Sequence, residues 1–85
     1  MKELTYVVKD KLGVHARPAG TLVKEAMKFQ SEIIIECNEK KADAKRIFSV
    51  MGIGAKCGDT LIFKISGTDE DSALKYLKEF LEKNL

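Results

Sequence analysis

The sequence predicts a single two-layer α+β domain, with three helices covering one face of a four-stranded antiparallel sheet. Three observations carry that expectation. Apolar and polar residues alternate at the period of a half-buried strand in several separate stretches. Between and after these stretches, apolar residues recur at helical spacing. The segments follow one another in the order βαββαβα, and 85 residues leave no room for a second domain.

Leu4, Tyr6 and Val8 alternate with Glu3, Thr5 and Val7, which makes Leu4 to Val8 the first strand. Asp10 to Gly13 is the loop that follows. The first helix runs from about Ala16 to Met27 or Lys28, with Ala19, Leu22, Val23, Ala26 and Met27 on its apolar face. Pro18 falls in the first turn, where its missing N–H costs nothing. A residue before proline avoids helical geometry, so either His15 or Arg17 is the last non-helical residue. Gly20 costs about 1 kcal/mol inside a helix. It is either a tolerated weak position or a small residue that lets a partner approach.

Glu32 to Cys37 is the second strand, with Ile33, Ile35 and Cys37 on one face. Asn38-Glu39 turns it into a short third strand, Lys40 to Ala44. Two-residue turns favour Asn-Gly, so Glu39 implies mild strain or a slightly longer loop. Lys45 to Gly52 reads as a short helix carrying Ile47, Phe48, Val50 and Met51. Either all four pack into the core, or part of the set is exposed as a docking patch. Gly54 and Gly58 punctuate the loop to the fourth strand, Thr60 to Ser66, which points Leu61, Phe63 and Ile65 inward. The last helix starts at Thr68 or Asp69, with Glu70 and Asp71 in its first turn as the helix dipole prefers. Ala73, Leu74, Leu77, Phe80 and Leu81 form its buried stripe.

With 45% apolar and 33% charged residues and one proline, the chain reads as globular. A net charge of +2 is too small to imply a nucleic-acid partner. No aromatic RNA-stacking motif and no Gly-x-x-Gly clamp with basic flanks points to one either. No stretch approaches the length of a membrane span, and Met1-Lys2-Glu3-Leu4 lacks a signal-peptide core, so a cytoplasmic protein without membrane insertion is expected. Cys37 and Cys57 show no CxxC spacing, and His15 is the only other soft ligand, which argues against a metal site and for free thiols.

The chemistry gathers at Gly13-Val14-His15-Ala16-Arg17-Pro18, which holds the only histidine and the only proline. A histidine at a helix start lies beside the free N–H donors of the first turn and the positive end of the helix dipole. Arg17 adds a forked cation suited to phosphate or carboxylate. An imidazole, oriented donors and a guanidinium form a place where a phosphoryl group can be accepted and held.

Gly13 to Ala19 resembles the active-site motif Gly-aliphatic-His-Ala/Thr-Arg-Pro-Ala of the HPr family, the histidine-containing phosphocarriers of the bacterial sugar phosphotransferase system, and matches it throughout. The resemblance spans residues 1–85 as one HPr-like domain. It implies an open-faced sandwich with strand order 1-4-2-3 and the second sheet face open to water. It implies that His15 accepts a phosphoryl group on Nδ1 from enzyme I and passes it to a IIA component, without a cofactor and as a carrier rather than an enzyme. Arg17 would position the group, and the backbone N–H groups of Ala16 and Arg17 would cradle its oxygens. Gly20, Lys24, Ile47, Phe48 and Met51 would form the partner-docking surface of a monomer, with Lys24, Lys28, Lys45 and Arg46 as its basic rim.

The alternative is an HPr-like regulatory or interaction domain not coupled to sugar transport; paralogues of that kind often lose the acceptor histidine, which is present here. Small acylphosphatases also hold phosphate with a loop and an arginine, but they need a water-orienting asparagine, and Asn38 and Asn84 are expected far from Arg17. The chain departs from the family near the short helix. Arg46 stands where many members carry a regulatory serine, so phosphorylation there by the family's kinase is not expected. Gly52 also stands at a position in which serine or threonine is common. Ser49 is the one hydroxyl nearby.

Overall fold

The computed structural model describes residues 1–85. The elements are β1 (Lys2–Val7), α1 (Ala16–Ala26), β2 (Glu32–Cys37), β3 (Lys40–Asp43), α2 (Ile47–Gly52), β4 (Thr60–Ser66) and α3 (Glu70–Asn84). The sheet is antiparallel throughout, in the order β1-β4-β2-β3. Ile33 pairs with Ile65 and Ile35 with Phe63 across the two central strands, which sets their apolar side chains on one face. That face meets Leu22 and Ala26 of α1 and Leu77 and Leu81 of α3, all fully buried. Each such leucine or isoleucine contributes about 1.5–3 kcal/mol relative to an exposed one.

Several expectations shift: the first strand runs from Lys2 to Val7 rather than Leu4 to Val8, and Leu74 is only half-buried. Met27 is 65% exposed because α1 ends at Ala26 and the chain turns away from the core there. The third strand stops at Asp43 rather than Ala44. The short helix begins at Ile47, not Lys45: Arg46 is extended, and Lys45 N–H is held by the Asp43 carboxylate at 2.9 Å in a local turn that competes with helix. The Asn38-Glu39 turn keeps its two-residue length and is strained, since both residues adopt left-handed backbone. The two cysteines are free, Cys37 buried and Cys57 exposed. No helix is long and apolar enough to cross a membrane.

Asp69 flanks the start of α3, yet its side chain serves another segment. It accepts Gln30 N–H at 2.8 Å and Ser31 N–H at 2.9 Å, and the Ser31 hydroxyl as well. Ser31 is fully buried, so this carboxylate supplies partners that water cannot. The Ser31 hydroxyl first, then the Gln30 N–H, hold Asp69 below the ordinary aspartate range. A depressed carboxylate stabilises the fold above its unfolded value of about 3.9 and loses that contribution as pH falls through the folded one. Asp69→Ala is therefore expected to melt several degrees below wild type near neutral pH. Thermal melts across an acid series should show the gap closing below the ordinary aspartate range; a gap independent of pH would contradict the assignment.

Candidate functional site

After β1 the chain is pinned to the end of α3, where the Leu85 oxygen accepts Lys9 N–H at 2.6 Å and Asp10 N–H at 2.8 Å. Asp10 then folds the loop on itself: its Oδ1 accepts Leu12 N–H at 2.9 Å and its carbonyl accepts Gly13 N–H at 2.9 Å. Gly13 has φ +69°, and a Cβ there would run into the Ala55 carbonyl oxygen and lie 2.9 Å from Lys56 Cα. The missing side chain lets Val14 N–H reach the same Ala55 carbonyl at 3.0 Å.

His15 is the extended residue before α1 (φ −94°, ψ −178°), which resolves the two candidate starts in its favour. Its carbonyl accepts the first helical bond, from Ala19 N–H at 3.0 Å. Pro18 thus sits where no donor is required, and Arg17 takes up helical geometry despite preceding it. The N–H groups of Ala16 and Arg17 have no acceptor within the chain, and no acidic residue occupies the first turn. The Arg17 side chain is exposed and unpaired. The His15 side chain is 34% exposed, with Nε2 3.7 Å from Asp10 Oδ2.

An open cleft of about 330 Å³ joins His15, Arg17, Pro18 and Thr21 to Asp10, Lys83 and Asn84. The last three were not legible as site residues. Asp10 announces itself only as an Asx turn before a glycine, and Lys83 and Asn84 arrive from the far end of the chain. Asn84 is not remote from Arg17, as the sequence suggested, because α3 runs back to end beside α1. Its Nδ2 donates to the Phe80 carbonyl at 2.9 Å. No three ligand-type side chains converge to hold a metal ion.

The apolar patch lies on α2, which packs against α1. Phe48 is 86% exposed and Met51 38%, while Ile47 is half-buried and only Val50 of α2 is buried. A Cβ at Gly20 would meet Ile47 Cδ1 at 3.5 Å, an ordinary contact, so the space beside Gly20 is filled by α2. The basic rim is weaker than expected. Lys28 pairs with Glu25 at 2.7 Å, which holds the glutamate below and the lysine above its ordinary range. Lys45 Nζ donates to the Phe29 carbonyl at 2.8 Å, and Arg46 Nε lies 3.7 Å from Asp43. Only Lys24 of the four is exposed and unpaired.

Comparison with known proteins agrees with this geometry. The sequence model for the HPr component phosphorylation site of the phosphotransferase system matches residues 2–83. Phosphocarrier protein HPr of Mycoplasma pneumoniae is 41% identical over 85 residues, covering 99% of this chain and 97% of that protein. A crystal structure of HPr from Thermoanaerobacter tengcongensis superposes with a TM-score of 0.93 at 40% identity, over 99% of this chain and 94% of that one. Crh of Bacillus subtilis, a catabolite-repression protein solved as a dimer with a swapped domain, is 32% identical with a TM-score of 0.77, over 100% of this chain and 98% of that one.

The Gly13 approach is testable against a second glycine. Gly54 also has left-handed backbone, φ +66°, but open space where a Cβ would go. Gly54→Ala is expected to cost about 1–2 kcal/mol from backbone strain alone. Gly13→Ala should cost clearly more, because the Ala55 carbonyl must move. Equal losses on denaturant titration would show that the approach to Ala55 imposes no constraint.

Proposed function

The chain belongs to the HPr family of phosphocarrier proteins of the phosphotransferase system, and from that premise we propose that His15 accepts a phosphoryl group from enzyme I and passes it to a IIA component during sugar uptake. As an HPr protein it is a carrier and not an enzyme. The supporting observation is the pair of acceptor-less N–H groups at Ala16 and Arg17, directly after the histidine.

The chemistry follows from that arrangement. Phosphoryl transfer needs in-line positioning and charge stabilisation more than covalent help from the protein. A neutral imidazole attacks phosphorus through Nδ1. The Ala16 and Arg17 N–H groups take up phosphoryl oxygens, and the Arg17 guanidinium swings onto them from solvent. The dipole of α1 favours the dianion by about 0.3–1 kcal/mol. Such modest terms hold the group without trapping it. The cleft is open, so the group stays within reach of two successive partners, and one chain supplies all of its walls, which fits a monomer. The same function assigns the chain to the cytoplasm. Lys24, Ile47, Phe48 and Met51 serve as the surface on which both partners dock, with Phe48 as the apolar anchor and Gly20 letting α2 pack close behind it.

Incubation with enzyme I and phosphoenolpyruvate should give an acid-labile phosphohistidine, absent from His15→Ala, which should remain folded. Label surviving in His15→Ala would place the acceptor elsewhere. Arg17→Ala should slow transfer by about 1.5–3 kcal/mol, the worth of a charged hydrogen bond, at nearly unchanged melting temperature. Phe48→Ala should weaken partner binding by at least about 1 kcal/mol, again without loss of stability. A titration with a IIA domain that leaves the α2 resonances unmoved would relocate the docking surface.

A further inference from the structure

Asp10 lies outside the matched motif, and its carboxylate reaches the His15 ring. Its two oxygens have separate tasks. Oδ1 accepts Leu12 N–H at 2.9 Å, so the side chain is anchored by its own loop, and Oδ2 is 3.7 Å from His15 Nε2. The backbone beneath it is fixed in turn, by Asp10 N–H on the Leu85 oxygen and Gly13 N–H on the Asp10 carbonyl. Both side chains are about one-third exposed, at 31% and 34%, so the field between them is only partly screened. Arg17 and Lys83 line the same cleft without pairing to Asp10, which leaves its charge directed at the imidazole.

A neutral imidazole carries one proton on either of its nitrogens, and a carboxylate beside one nitrogen favours the proton there. We propose that Asp10 is a positioning residue for phosphoryl transfer, holding His15 in the tautomer with the proton on Nε2 and the lone pair on Nδ1. The inference rests on His15 being the phosphoryl acceptor. In the transfer step the Nδ1 lone pair forms the N–P bond while the donor's leaving group takes the electron pair of the bond that breaks. The Nε2 proton stays in place, facing Asp10, and the carboxylate balances the positive charge that develops on the ring. A separation of 3.7 Å exceeds a hydrogen bond, and such contacts commonly tighten when the reacting partner is bound.

Asp10→Asn tests this, since the amide oxygen can still accept Leu12 N–H while the charge is gone. The ring nitrogen shifts of His15 are recorded by NMR on the unphosphorylated proteins at about pH 8, above the ordinary histidine range. Transfer from enzyme I is timed in parallel. Wild type should show a pyrrole-type Nε2 and a pyridine-type Nδ1, and Asp10→Asn should show both nitrogens moved toward averaged values. Transfer should slow about two- to fivefold, the scale of a partly exposed ion pair, with the Leu12 amide resonance and the melting temperature retained. Identical ring shifts in the two proteins overturn the proposal, and so does an unchanged transfer rate with altered shifts. Absence of label on His15 in wild type would overturn the carrier function instead, and the ring shifts would still decide whether Asp10 sets the tautomer.

Discussion

The contact between Gly13 and Ala55 governs the position of everything else in the site. Because Gly13 has no side chain, the loop before α1 lies against the loop before β4, and one carbonyl, that of Ala55, receives Val14 N–H. That carbonyl is itself held by a series of tethers. Asp59 Oδ2 accepts Lys56 N–H at 2.9 Å and Asn38 Nδ2–H at 3.0 Å. Gly58 N–H reaches the Val8 carbonyl at 2.8 Å, and Val8 N–H the Asp59 carbonyl at 2.9 Å. The Lys56 N–H and then Asn38 keep the Asp59 carboxyl below its ordinary range. The left-handed Asn38-Glu39 turn, which costs about 1–2 kcal/mol per residue, is thus partly offset by the bond its asparagine makes. A strained turn at one sheet corner and the start of α1 belong to one network.

The site itself is built by leaving groups unpaired. Elsewhere the fold satisfies its donors with care: a carboxylate across the molecule serves buried Ser31, and Glu25 gathers both Lys28 and the Tyr76 hydroxyl. At the start of α1 the opposite holds. Two N–H groups and an arginine are left without partners beside an open cleft, and no first-turn carboxylate competes for the dipole. The cost to stability is small, because exposed donors are solvated by water. A buried pocket would have to satisfy the same donors internally.

The pattern of strands and helices was legible because the apolar periodicity is clean. Glu32–Cys37 and Thr60–Ser66 are strands with the bounds that their alternation marks, since every second residue meets the same core. The extended placement of His15 before α1 was legible from one local motif at a helix start. Long-range relations were not. No local signal says that α3 returns to the His15 cleft, that Asp69 serves Gln30 and Ser31 some 38 residues away, or that Arg46, Lys28 and Lys45 are already engaged. The start of α2 was misjudged for a nearer reason: the Asp43 carboxylate captures Lys45 N–H, which periodicity cannot register.

Asp43 also bears on the hydroxyl that remains near α2. Its N–H donates to Ser49 Oγ at 3.2 Å, and its carboxylate holds Lys45 N–H and lies 3.7 Å from the Arg46 guanidinium. Ser49 is therefore half-buried and part of the turn that launches α2, not a free surface hydroxyl. A phosphate on Ser49 would set about −1.5 to −2 charges beside the Asp43 carboxylate. Arg46 is one residue outside the helix, with its cation held toward that same carboxylate. The apolar patch of Phe48 and Met51 is thus carried on a helix whose entry is fixed by an aspartate, an arginine and a serine that satisfy one another. A negative charge added at the serine would be repelled by the Asp43 carboxylate and would compete with it for Arg46.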